Sequence, residues 1–215
     1  MNNSGILDDV NVGIAAIHQR KSKLDEKLYL NKTAVMNTFK IFPTDPSLYK
    51  EEYAGFIEEI IDKYGIKEWK AVVLTNEIHG HIGIYSILGA KAGTMACEYF
   101  NVRTGKLKVT SYAGNRPPLS CFNDGVQIST GATIGQGLIS VSDTVLENPT
   151  IICECKNRRI KLSLKNEVLK QVQADIQNGV RQYGHSHDYW DYIEKLAHNY
   201  WRSYDRHQIF VIEKL

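Results

Sequence analysis

Two histidines one residue apart, His79 and His81 in "EIHGHIGIYSILGAKAG", are the side chains in this chain whose types and spacing best suit chemistry. In an extended backbone, positions i and i+2 point the same way, so two imidazoles at this spacing can converge on one cation. The other reading is a pair of polar residues closing a strand. A second His-x-His pair, His185 and His187, lies in "GHSHD", a helix-entry loop that needs no metal. Cys121, in "LSCFNDGVQ", stands three residues before Asp124, on one face if the segment is helical. A thiolate near a metal or a helix N-terminus has a lowered pKa and can ligate or attack. A free cysteine also reads as a small buried residue with no chemistry. Cys153 and Cys155 form a CxC on a strand, without a second pair or the spacing of a zinc ribbon. They and Cys97 read as core packing. The loop "STGATIGQG", 129–137, can offer backbone N–H groups to an anion, yet it fits no nucleotide-binding fingerprint.

These residues need elements to place them. "KAVVLTNEI", 70–78, is a short apolar run without visible period and predicts a central strand, so that His79 would sit at a strand-to-helix transition. Residues 82–100 predict a buried helix, with Gly89, Ala90 and Gly93 allowing a neighbour to approach closely. From Leu48 to Tyr64, Tyr53, Phe56, Ile57, Ile60, Ile61 and Tyr64 recur at helical spacing, and Gly65 closes the helix. A short helix is expected around 121–128. Strands are expected at 106–112, 138–142, 150–155 and 159–164, with a last one within 207–215. Val168, Val172, Ile176 and Val180 mark one helix stripe. Tyr189, Ile193, Leu196, Ala197, Tyr200 and Tyr204 mark another, opened by Asp188 and Asp191, and this aromatic stripe could equally bury against a partner in a purely structural oligomer. Within 1–45, a helix over 10–17 and a strand over 34–42 are expected. The order of elements predicts an α+β fold with a mixed or antiparallel sheet packed with helices.

Its 215 residues suffice for one generous globular unit, and hydrophobic and charged contents of 43% and 23% are ordinary for one. A net charge of +2 argues against nucleic acid as the main partner. The opening "MNNSGILDDV" has neither a basic n-region nor an apolar core, and the most apolar stretch carries Lys91 and Glu98. A cytoplasmic protein with reduced thiols and no membrane partner is expected.

The two stretches together resemble the FmdE family, whose name links it to molybdenum formylmethanofuran dehydrogenase. That family's H-G-H-x-C-P-G-x-x-x-G is matched at His79, Gly80, His81 and Gly89. Its C-x-x-D followed by Q-x-x-T-G-x-T-x-G-x-G is matched at Cys121, Asp124, Gln127, Thr130, Gly131, Thr133, Gly135 and Gly137. Gly83, Ile84 and Tyr85 stand where the family has C-P-G, which removes a thiol beside the histidines. Many family members carry a cysteine-rich zinc finger after the core; a helical hairpin is expected in that place here.

The resemblance spans about 48–165, and it divides the chain into an N-terminal segment 1–45 packed on the core, an α+β core 46–165, and a hairpin with a final strand 166–215 in the same unit. It implies a divalent metal, zinc first, held by His79, His81 and Cys121 in a groove. Cys121 and Asp124 would be the reacting groups, and His185 or His187 could reach them from the appended hairpin, of the same chain or of a dimer partner. Gln127, Thr130, Gly131 and Thr133 would hold a small-molecule substrate, C1- or pterin-related, in a homodimer. The alternative is a non-catalytic small-molecule or metal-binding accessory module of a redox complex.

Overall fold

The computed structural model describes residues 38–184 and 186–215. They fall into two units, one ending at Leu48 and one running from Tyr49 to Leu215. In the first, a 3-10 turn spans Pro46–Leu48, and residues 38–42 are irregular rather than a strand. The helix expected over 10–17 lies outside the described residues.

The second unit is α+β. Its helices are α1 (Glu51–Ala54), α2 (Ile57–Tyr64), α3 (Ile66–His79), α4 (Ile84–Phe100), α5 (Phe122–Thr130), α6 (Asn166–Tyr183), α7 (His187–Ser203) and α8 (Arg206–Ile209). Strands β1 (Lys108–Ser111), β2 (Ile139–Val141), β3 (Thr150–Cys155), β4 (Arg158–Leu164) and β5 (Phe210–Lys214) form one sheet ordered β2-β1-β3-β4-β5. Only β1 and β2 run parallel. Alternation along the strands gives one apolar face, with Val109, Ile151, Cys153, Ile160 and Leu162 buried, and one face carrying Lys108, Glu154, Arg159 and Lys161. Cys153 and Cys155 are buried, and burial pushes the Cys153 thiol far up, so it packs as an apolar residue.

Helix α4 is the centre of the unit: Ile84 to Ala96 is buried throughout, and so is Phe100. It meets α5 backbone to backbone. A Cβ at Gly89 would lie 2.0 Å from the Phe122 carbonyl oxygen, and one at Gly125 would lie 2.1 Å from the Ser86 carbonyl oxygen. The glycines expected to allow close approach do so. Around the other flank of α4, Glu68, Lys91, Glu98 and Arg206 tie α3, α4 and α8 together. Lys91 donates to Glu68 at 2.5 Å, and Arg206 donates to Glu68 at 2.9 Å and to both oxygens of Glu98.

Two expected elements differ. The segment 70–78 is not a strand but most of α3, which begins after Gly65 and ends at Gly80, both in positive φ. Its apolar run hides the helical period because two faces are buried. Trp69 and Val72 lie on one, while Glu68, Ala71 and Thr75 lie on the other, where the charge of Glu68 is neutralised by Lys91 and Arg206. The single helix expected over 48–64 is broken at Gly55 and Phe56 into α1 and α2. The C-terminal hairpin, α6 and α7, matches expectation. Gly179 brings it together, since any Cβ there would lie 2.6 Å from the Tyr192 ring.

Candidate metal centre

Site geometry starts from the end of α3. His79 is its last residue, and Gly80 reverses the chain in the left-handed conformation (φ 82°), its N–H donating to the Asn76 carbonyl. Three residues later Gly83 caps the start of α4. The two histidines therefore flank a helix–helix corner and not the end of a strand. Their rings nevertheless converge, with centroids 4.4 Å apart.

The α4–α5 contact brings the first turn of α5 to this corner. His79 Nδ1 lies 2.8 Å from Asp124 Oδ2. An ionised carboxylate only accepts, so a neutral His79 carries its proton on Nδ1 and presents the lone pair of Nε2. That Nε2 is buried and has no hydrogen-bond partner among the described residues. A buried imidazole oriented by a carboxylate, with its other nitrogen unsatisfied, is the arrangement found behind metal-ligating histidines. Gly83 borders the same atom, since a Cβ there would lie 3.4 Å from Nε2 and 3.0 Å from Ser86 Oγ.

His81 is more exposed, and partial burial, then the neighbouring His79, lowers its pKa. It therefore stays neutral further into acid than a free imidazole, as a ligand nitrogen must. Cys121 ends the 3-10 turn before α5, one turn ahead of Asp124. Burial, then the Asp124 charge, raises its thiol pKa, so the thiol is protonated at neutral pH without a cation beside it. Among the described residues, no three or more His, Cys, Asp or Glu side chains come together in a group that could hold a metal ion, so Cys121 does not complete a set of three with His79 and His81. The ligand types fit a borderline divalent ion.

The remaining expected site residues take part in local structure. Gln127 Oε1 accepts from the Ile134 N–H. The Thr130 hydroxyl donates to the Val126 carbonyl and accepts from the Ala132 N–H. Thr133 Oγ1 caps a 3-10 turn through the Gln136 N–H, and Gly131 (φ 68°) closes α5. His187 is exposed and faces Asp191 at 4.0 Å, while His185 lies outside the described residues.

Sequence reasoning misses two residues of α7. Trp190 stands edge-on to His81, with ring centroids 6.0 Å apart. Glu194, one turn further on, favours the protonated form of His81. The only hint in the sequence is their i, i+4 spacing on one helix face, which does not say what that face meets.

The family model described as "FmdE, Molybdenum formylmethanofuran dehydrogenase operon" matches residues 78–208, more than half of the chain. The match begins beside His79 and runs past 165 through α6 and α7. The hairpin is thus within the matched region, beyond the expected end near 165. No curated protein matches the chain. No helix among the described residues is long and apolar enough to cross a membrane.

Proposed function

Because the chain belongs to the FmdE family, we propose that it is a metal-binding member of it that works on a small molecule, with His79, His81 and Cys121 holding a divalent ion. The observation that carries this reading is His79 itself, with Nδ1 engaged by Asp124 and Nε2 buried without a partner among the described residues. Zinc is the first candidate, since two imidazoles and a thiolate suit it. When bound, such an ion with three protein ligands supplies Lewis-acid or hydroxide chemistry at its remaining position.

The chain's own residues do the rest. Asp124 accepts the Nδ1 proton of His79 and fixes the ring's orientation and tautomer. Cys121 gives up its thiol proton on ligation, so metal uptake is coupled to proton release and weakens as pH falls. Trp190 stands beside His81, with the two ring planes steeply inclined. The substrate is taken to be C1- or pterin-related, as the resemblance implies. The homodimer it also implies belongs to the same proposal and is read as twice the chain mass in light scattering.

Metal analysis of the purified protein tests the reading. The wild type is expected to carry about one equivalent of zinc or a similar ion, with His79→Ala and Cys121→Ser strongly depleted. Unchanged metal content in both variants would place the site elsewhere. A ligand that stabilises the protein equally with and without chelator would favour a metal-independent binding module.

A further inference from the structure

Contacts at two places register helices α3 and α7 against each other. At one, the Trp69 and Trp201 rings stack, with centroids 5.0 Å apart and planes at 12°. At the other, Trp190 meets His81, two residues beyond the end of α3. The two helices therefore run antiparallel. Asn76 lies seven residues after Trp69, and Glu194 seven before Trp201, about 10.5 Å along either helix. Seven residues are also close to two full turns, so Asn76 keeps the face of Trp69 and Glu194 that of Trp201. Asn76 and Glu194 thus stand at the same height in the seam between the helices.

The same two helices hold the unmet hydrogen-bonding capacity of the described residues. Five buried side-chain polar atoms there lack a partner: Trp69 Nε1, Asn76 Oδ1 and His79 Nε2 on α3, and His198 Nε2 and Trp201 Nε1 on α7. Unpaired buried polar groups are costly, so their concentration on two facing helices marks a place that takes an occupant. Charge says which kind. Among the described residues neither Glu77 nor Glu194 forms an ion pair, and Arg202, which also acts on His198, is held by Glu59. Both carboxylates act on Tyr53, whose phenol burial, then Glu194, Glu52 and Glu77, push up to about 12. The Tyr53 ring stands edge-on to His198, with centroids 4.8 Å apart. No three His, Cys, Asp or Glu side chains among the described residues come together in a group that could hold a metal ion. The negative charge is spread along the seam and between aromatic rings.

We propose that the seam between α3 and α7 binds a protonated organic amine, its N–H groups on Asn76 Oδ1 and the Glu194 carboxylate. This rests on the reading of the protein as one that works on a small molecule, and deepens it by giving that molecule a cationic amine. Spread acceptors beside the Tyr53 ring suit an ammonium group, which donates in several directions and is attracted to aromatic faces. His198 adds no opposing charge, since burial keeps it neutral further into acid than a free imidazole. Trp190, one turn before Glu194 and 55% exposed, offers its indole to the rest of the ligand on the side of the His81 corner.

The probe is benzylammonium, with benzyl alcohol and benzoate as neutral and anionic rings of the same size. Each is titrated at neutral pH by saturation-transfer NMR against the full chain, with chelator in excess so that the seam is read apart from any metal. Saturable benzylammonium binding is expected, with the other two weaker by about tenfold or more. Glu194→Gln should weaken benzylammonium about tenfold, one charge-assisted hydrogen bond's worth. Asn76→Ala, with its fold verified by circular dichroism, should weaken it too. Glu167→Gln, which removes an exposed carboxylate from α6, should not. The proposal is overturned if benzylammonium shows no saturable binding, which would leave the unpaired atoms to water, or if either other ring binds as tightly. It is overturned equally if either seam variant binds like the wild type, or if Glu167→Gln weakens binding as much as Glu194→Gln. Loss of metal from His79→Ala with amine binding retained leaves both readings standing, whereas unchanged metal there sinks only the metal site.

Discussion

His79 and Asp124 act as one unit, because the carboxylate decides which imidazole nitrogen is available. Removing a carboxylate behind a ligating histidine typically costs about 10–100-fold in metal affinity. Asp124→Ala should therefore weaken metal binding by about that factor in a competition titration, with the fold unchanged because Asp124 is partly exposed. A full loss of folded protein would instead make Asp124 a structural residue. His198 gives a second prediction at this scale. It sits between Tyr53 and Phe56, and burial lowers its pKa from 6.5. The unfolded chain then binds a proton near pH 6.5 that the folded chain takes up only at lower pH. Stability contributed by neutral His198 is full above pH 6.5 and is lost as pH falls below it. Urea midpoints should drop between about pH 7 and 5.5, and His198→Phe should flatten that drop.

At the scale of elements, the helix–helix corner and the glycine-lined α4–α5 contact place the site. Gly125→Ala would drive a Cβ into the backbone of α4 at Ser86 and Ala90, where no side chain can swing aside. It should destabilise the protein by about 3 kcal/mol or more, measured by urea unfolding, and loosen the pairing of Asp124 with His79. A neutral result would mean that the two helices separate freely. This contact is legible in the sequence because Gly89 and Gly93 recur at helical spacing in an apolar run. Strands β3 and β4 are legible because they alternate around a polar turn. Helix α3 is not. "AVVL" looks continuous when a helix buries two faces, one of which hides the neutralised Glu68. The usable signal is the span of fourteen residues between Gly65 and Gly80, too long for an ordinary strand. Extended geometry predicts the convergence of His79 and His81, yet a left-handed glycine corner produces it. Trp190 and Glu194 are out of reach, since no local pattern reports a contact so distant along the chain.

Across the whole unit, the buried ions Glu68, Lys91 and Arg206 join α3, α4 and α8, and so hold the corner in place from behind. Both Glu68 and Lys91 are fully buried, and burial brings the Lys91 pKa down to about 8. Glu68→Ala would strand the buried Lys91, while Arg206 keeps Glu98, and should cost about 3–5 kcal/mol in chemical denaturation. A loss below about 1 kcal/mol would mean that water or a neutral lysine absorbs the change. Glu68 does not touch the histidines, so its effect on metal content should come only through unfolding. The metal itself is read most directly by X-ray absorption at the zinc edge on the full-length protein. The expected shell holds two imidazole nitrogens at about 2.0–2.1 Å and one sulfur at about 2.3 Å, with that signal lost in His79→Ala. A shell without imidazole, or one that His79→Ala leaves unchanged, would contradict a metal centre at the histidine corner.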